Sequence, residues 1–231
     1  MIRAILFDLD GTLLNRDESV KYFVENQYDR FCTNFEFILK EMYTKRFLEL
    51  DNRGYVWKDK VYQKLTREMD INKVAWQELY EDYITEFYHY CIPFPHLKMM
   101  LEELKRNNLL LGIVTNGMGQ FQMAKIKALE IEEYFQTIII SEWEGEKKPH
   151  PKIFKRAMEK LDVSPCDCVF VGDHPLNDIE ASQKVGMKTI WKKDYTTFYV
   201  NADYTIDNLA EIPLIISNLN NGEGKKDVLS F

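Results

Sequence analysis

The chain has 231 residues, 45% of them hydrophobic, enough to bury one substantial core with or without a sizeable insertion. Its formal charge is −7, from 30 basic and 37 acidic side chains, and no segment gathers Lys and Arg as a nucleic-acid or membrane-surface footprint requires. Nucleic acid and membrane are therefore not expected as partners, and an anionic substrate needs local positive charge, from a metal or a lysine, to overcome the overall field.

The first run, Ile2 to Phe7, is short and β-prone and ends in Asp8-Leu9-Asp10-Gly11-Thr12, so an acidic pair sits where a strand gives way to a turn. Asp8 interrupts this run too soon for a secretory signal, and no apolar stretch approaches membrane-spanning length. Cys32, Cys91, Cys166 and Cys168 form no Cys-x-x-Cys pair, and reduced thiols in a cytoplasmic protein are the expectation. From about Asn15 to Ile92 the chain offers long amphipathic helical patterns and no convincing strand, far more than an ordinary loop. This stretch holds more than half of the aromatic side chains, including Tyr22, Phe23, Phe31, Phe35, Trp57, Trp76, Tyr80, Tyr83 and Phe87, which suits a small helical bundle with its own core. Arg16-Asp17 on the way out and Pro93 and Pro95 on the return mark the hinge, giving a helical domain over 15–93 and a core of 1–14 and 94–231.

After the return, Leu97, Met100, Leu101 and Leu104 recur at helical spacing. Leu109 to Val114 is apolar almost throughout, as a parallel strand covered on both faces must be, and it ends in Thr115-Asn116-Gly117. A second helix is read from Phe121, Ala124, Ala128 and Ile131, and a third from Ile153, Phe154, Ala157, Met158 and Leu161, with Pro151 in its first turn. Thr137 to Ile140, Val169 to Val171, Thr189 to Trp191 and Tyr204 to Ile206 complete the candidate strands, and Gly186 suits the end of a short helix beginning near Asp178. Strands alternating with helices predict an α/β fold built on a doubly wound parallel sheet.

In such sheets ligands gather at the carboxyl ends of the strands. Four of these ends carry Asp8 and Asp10, Thr115 and Asn116, the Lys148-Pro149 segment, and Asp173 with Asp178. Carboxylates brought together at one edge repel one another unless a cation neutralises them, and hard oxygen ligands suit Mg²⁺.

Asp8-Leu9-Asp10-Gly11-Thr12-Leu13 resembles the first motif of the haloacid dehalogenase superfamily, and the later motifs follow in that family's order. Thr115 resembles the second, Lys148 the third, because it directly precedes Pro149, and Gly172-Asp173-His174-Pro175-Leu176-Asn177-Asp178 the fourth. The resemblance spans essentially the whole chain and implies a Rossmann-like core with an inserted α-helical cap, as in the subfamily whose insertion follows the first motif. It implies Asp8 as nucleophile and Asp10 as acid and base, with Mg²⁺ bound by Asp8, the main-chain carbonyl of Asp10 and Asp173, and Asp178 supporting the metal from outside. Lys148, the Thr115 hydroxyl and the amide of Asn116 would hold the phosphate. His174 is at best a supporting residue, and His89, His96 and His150 carry no usable pattern.

Asp10 also chooses among the family's reactions. Dehalogenases generally lack an acid at this position, because displacing halide needs neither a delivered proton nor magnesium, so a phosphatase acting on a small-molecule phosphomonoester is expected. A sugar phosphomutase would retain the same residues, and a non-catalytic binding module could use the aromatic insertion as a partner surface. Substrate choice should lie in loops of the insertion, where the break at Asn52-Arg53-Gly54-Tyr55 offers Arg53 for a second anionic group. A monomer or a dimer is expected.

Overall fold

The computed structural model describes residues 1–35, 37–194 and 199–222. The chain divides into two compact units, Met1–Leu14 with the chain from Pro93 onward, and Asn15–Ile92. Pro93 falls in the first unit, where it forms an isolated antiparallel bridge with Leu14.

The first unit is built on six parallel strands, β1 (Ala4–Phe7), β2 (Leu110–Thr115), β3 (Thr137–Ile140), β4 (Cys168–Gly172), β5 (Lys188–Lys192) and β6 (Tyr204–Ile206), in the order β3-β2-β1-β4-β5-β6. They lie where the apolar runs predict, because a parallel strand covered on both faces must be apolar on both. On one face Leu6, Val114, Ile139 and Phe170 pack with Ile153, Phe154, Ala157 and Met158 of the helix Pro151–Leu161. The Phe154 and Phe170 rings meet edge to face at 5.1 Å, and each buried ring contributes about 1.5–3 kcal/mol relative to exposure. The alternate side chains Ile5, Phe7, Leu111, Ile113, Val169 and Val171 are buried as well and point the other way by the pleat.

The order of the strands places the site. From β1 the chain winds outward through β2 and β3, then returns to the other side of β1 for β4, β5 and β6, so the reversal falls between β1 and β4. Ligands in open parallel sheets bind outside the carboxyl ends at such a switch. The Asp8 amide donates to the Val171 carbonyl at 2.9 Å, which fixes the ends of β1 and β4 side by side.

The second unit holds the helices Arg16–Phe31, Lys40–Asp51, Lys58–Glu68 and Trp76–Glu86. Its core is aromatic, with Phe23, Tyr43, Phe47, Tyr62, Tyr83 and Phe87 buried. Gln27 sits in the middle, fully buried: its Nε2 donates to the Leu79 carbonyl and to Asp82 at 2.8 Å each, and its Oε1 accepts from the hydroxyls of Tyr43 (3.0 Å) and Tyr62 (2.8 Å). Burial raises the pKa of both phenols, so both remain donors. The break expected near Arg53 is present: Asn52, Arg53 and Gly54 all have positive φ, which ends the second helix sharply. Among the described residues no helix is long and apolar enough to cross a membrane.

Replacing Gln27 with Leu leaves two buried hydroxyls without an acceptor and should cost about 2–4 kcal/mol in guanidinium unfolding. Adding Tyr43→Phe and Tyr62→Phe removes the stranded donors and should recover part of that loss. A triple variant less stable than Gln27→Leu would mean that ring packing, and not the hydrogen bonds, sets the cost.

Candidate active site

Asp8 follows β1 directly, and the loop after it folds back on itself: the amides of Leu13 and Leu14 donate to the Leu9 carbonyl, and the Gly11 amide donates to the Leu14 carbonyl. Gly11 has φ +88°, and a Cβ there would stand 2.3 Å from Asp173 Oδ2, so only glycine allows the two acidic loops to close on each other. Gly172, at the end of β4, is constrained similarly, since a Cβ would lie 2.4 Å from Asp178 Cβ.

Four strand ends thus meet. Lys148 is buried, and its Nζ donates to Asp8 Oδ1 at 2.6 Å and to Asp178 Oδ1 at 2.7 Å; Lys147 beside it is exposed. Asp178 Oδ2 accepts from the His174 amide at 3.0 Å. His174 Nδ1 accepts from the amides of Leu176 and Asn177, so this ring nitrogen caps the wide helical turn Pro175–Glu180 that carries Asp178. Asn116 uses its side chain on the main chain of Lys148, with Nδ2 donating to the carbonyl at 3.0 Å and Oδ1 accepting from the amide at 2.8 Å. Its backbone amide, the group expected to meet phosphate, is separate from that clasp. Thr115 is buried at the end of β2.

Carboxylate oxygens of Asp8, Asp173 and Asp178 lie within 4.8 Å of one another. Burial pushes the Asp8 carboxyl up to about 7, with Asp178 and Asp10 adding to the rise and Lys148 opposing it. Burial likewise raises Asp173, assisted by the charges of Asp8 and Asp178. Burial works against the charge of Lys148, yet Asp178 and Asp8 outweigh it and lift the lysine above its ordinary range. One ammonium therefore faces three carboxylates, and the donor set, all oxygen and short of positive charge, fits a divalent cation. Asp173 and Asp8 are the carboxylates best placed to ligate, since both Asp178 oxygens already accept hydrogen bonds.

The Asp10 carboxylate is directed elsewhere. Lys125 Nζ lies 2.7 Å from both its oxygens, and Gln122 Nε2 donates to Asp10 Oδ2 at 2.8 Å and to Thr115 Oγ1 at 2.6 Å. Both partners are buried on the helix Gly119–Ala128, three residues apart on one face. Sequence reasoning missed them, because it assigned the inward face to Phe121, Ala124 and Ala128. In the structure Ala128 is exposed and the buried stripe runs through Gln122, Lys125, Ile126 and Leu129. The one available signal was the Gln-x-x-Lys spacing that begins seven residues after the second strand end, which hydropathy reads as surface. Arg53 belongs to the helical unit, where its Nε lies 3.3 Å from Asp17 Oδ2 and it lines a cavity of about 620 Å³ with Arg16, Asp17, Lys21 and Asp51.

Residues 5–192 match the sequence profile of the haloacid dehalogenase-like hydrolases. A glyceraldehyde 3-phosphate phosphatase from Pyrococcus furiosus is 30% identical over 97% of this chain and 97% of its own. The crystal structure of a HAD phosphatase from Thermococcus onnurineus superposes with a TM-score of 0.67 at 30% identity, covering 93% of this chain and 98% of that one. The L-2-haloacid dehalogenase from Xanthobacter autotrophicus, at 17% identity, shares the fold with a TM-score of 0.67 over 95% of this chain and 100% of its own. With the profile covering most of its length and the motif residues gathered at one sheet edge, the chain belongs to the haloacid dehalogenase-like hydrolase family.

Proposed function

We propose that this protein is a Mg²⁺-dependent phosphatase that hydrolyses a small-molecule phosphomonoester through an aspartyl-phosphate on Asp8. The observation that carries this reading is the Lys148 ammonium held between Asp8 and Asp178, beside a second acid, Asp10, oriented separately by Lys125 and Gln122. The phosphatase names of the relatives from Pyrococcus furiosus and Thermococcus onnurineus support the same class of reaction.

In this mechanism an Asp8 carboxylate oxygen attacks phosphorus, forming the acyl-phosphate bond as the phosphorus–oxygen bond to the leaving group breaks. Asp10 donates its proton to the departing alkoxide. It then removes a proton from the water that attacks phosphorus, so that the acyl-phosphate bond breaks and Asp8 is regenerated. Lys148 offsets charge on the nucleophile and the phosphoryl oxygens, to which the Thr115 hydroxyl and the Asn116 amide donate. Lys125 and Gln122 fix the direction of the Asp10 carboxylate, and Gln122, by bonding Thr115 as well, ties the acid to the phosphate contact. Asp8, Asp173 and the main-chain carbonyl of Asp10 would hold Mg²⁺, with Asp178 supporting it indirectly. The ion supplies positive charge that lets an anionic carboxylate meet an anionic phosphate. The helical unit serves as the cap that selects the substrate, with Arg53 among the basic side chains of its cavity.

Asp8→Asn is nearly isosteric and should lower turnover of p-nitrophenyl phosphate at least about a thousandfold while circular dichroism reports an unchanged fold. Turnover near wild type would remove Asp8 from the nucleophile's role. Lys125→Met should lower kcat about 10–100-fold with little change in KM, because Asp10 loses its orientation and substrate binding does not depend on it. A change confined to KM would place Lys125 in substrate binding instead.

The raised pKa of Asp8 gives the metal a pH signature. Above the ordinary value of 3.8 and up to about 7, the folded metal-free protein keeps a proton that the unfolded chain has released, so this group's stabilisation is complete below 3.8 and fades as pH rises through 7. Mg²⁺ binds the deprotonated carboxylate and should therefore raise the Tm more at pH 8 than at pH 5. Equal shifts at both pH values would argue against Asp8 as a ligand.

A further inference from the structure

Lys192 ends β5 and is only 3% exposed. Trp191 is paired in register with Gly172, so Lys192 stands level with Asp173 on the neighbouring path, about one strand spacing (roughly 4.8 Å) away along the sheet. The Trp191 indole donates to the Asp173 carbonyl at 2.8 Å and fixes that alignment. The Lys192 ammonium lies 3.6 Å from the centre of the Phe94 ring, and Phe94 is anchored by its own amide on the Leu13 carbonyl at 3.0 Å, within the loop that carries Asp8 and Asp10. The ammonium is thus directed to the carboxyl edge of the sheet on the side of the acidic cluster.

Every other buried lysine here has a carboxylate: Lys125 has Asp10, and Lys148 has Asp8 and Asp178. Among the described residues, none lies within ion-pair distance of Lys192. The acids that act on it from beyond that distance are Asp173, Asp207 and Asp194, and Asp207 is bound to Lys193 at 2.7 Å. A cation stripped of water with no anion in contact is costly, and a ring face or acids at a distance return only part of that cost. A buried ammonium with no carboxylate in contact, at the carboxyl edge of the sheet that carries the acidic cluster, has the form of a receptor for an anion that arrives with the ligand.

We propose that Lys192 binds a second anionic oxygen group, a carboxylate or a second phosphoryl, carried by the substrate on the part that is not transferred. This rests on the phosphatase reading for the position of the first phosphoryl group, and it assigns the substrate class: a short phosphomonoester with a negative charge a few bonds from the ester. The transferred group meets Lys148, Thr115 and Asn116, and the remote charge meets Lys192.

Three non-hydrolysable ligands test it by calorimetry in the presence of Mg²⁺: propylphosphonate, 3-phosphonopropionate and 1,3-propanediphosphonate. The wild-type protein should bind at least one of the two doubly charged ligands about tenfold or more tightly than propylphosphonate, as one charge-assisted contact implies; which one separates carboxylate from phosphoryl. Lys192→Met, which keeps the apolar stem over Phe94, should abolish that preference and leave propylphosphonate affinity within about twofold. A preference that survives in Lys192→Met overturns the assignment, as does its absence from the wild type, including failure to bind any phosphonate. A lysine that serves only packing would shift the Tm of the variant without touching the preference. Failure of the wild type to hydrolyse p-nitrophenyl phosphate or any other monoester, with the binding preference intact, would instead remove the phosphatase reading and leave Lys192 as an anion-binding residue.

Discussion

The Lys148 ammonium stands between two carboxylates, 2.6 Å from Asp8 and 2.7 Å from Asp178, and much of the sheet unit is arranged so that it can. Three segments distant in sequence must converge, and each brings its own device. Asn116 clasps the Lys148 main chain on both sides, Gly172 leaves room for the Asp178 side chain, and the His174 ring caps the turn on which Asp178 rides. A buried ion pair contributes little to net stability, because desolvation opposes its Coulomb energy. Its value lies in fixing one arrangement, since breaking either contact strands a buried charge. A single lysine balances only part of the charge of Asp8, Asp173 and Asp178, and the remainder is the electrostatic reason for a cation there.

The inner strands β1, β2 and β4 were legible because a parallel strand covered on both faces leaves a continuous apolar run, a signal that survives without knowledge of its neighbours. Asp8, Thr115, Lys148, Asp173 and Asp178 were legible because each sits at the end of such a run or in a motif beside one, and the structure gathers them at one edge. Gln122 and Lys125 were not. A polar residue buried against a polar partner has the hydropathy of a surface residue, and only the partner, more than a hundred positions away for Asp10, shows that it faces inward. The inward face of that helix was therefore drawn through alanines. Lys192 was hidden for another reason, standing at the end of a strand whose apolar signal had already stopped at Trp191 and buried against a ring, Phe94, that is distant in sequence.

The helical unit solves a related problem by other means. A small bundle rich in tyrosine must find acceptors for hydroxyls that its own packing buries, and Gln27 meets two of them while its amide nitrogen binds Leu79 and Asp82. Asp82 in turn holds Arg30, whose guanidinium lies 5.3 Å from the Phe23 ring and within 2.6 Å of the Tyr90 hydroxyl. Burial opposes the charge on Asp51, yet Arg16 and Lys58 hold its carboxyl below the usual range, which ties the beginning of the first helix to the end of the second. Networks of this kind favour one packing of interchangeable rings over another. For a unit proposed to select a substrate, that uniqueness matters more than added stability, because recognition requires side chains to be held in one place.

The shared fold of a haloacid dehalogenase, at 17% identity, sharpens what decides the chemistry. The sheet, its switch point and a carboxylate after β1 serve displacement at carbon or at phosphorus equally well, so the fold cannot choose. The choice rests on what surrounds the nucleophile. An alkoxide leaving group must be protonated and a halide need not be, so a second carboxylate has a use in one reaction and none in the other. In this protein that carboxylate is present and is held by three hydrogen bonds from Lys125 and Gln122, one of which belongs to a side chain that also reaches Thr115. A carboxylate with no function would not require a buried lysine and a buried glutamine to orient it, since both carry a desolvation cost that a solvated aspartate avoids. The two buried side chains committed to aiming Asp10 are thus the physical support for the proposal that it exchanges a proton with a leaving oxygen.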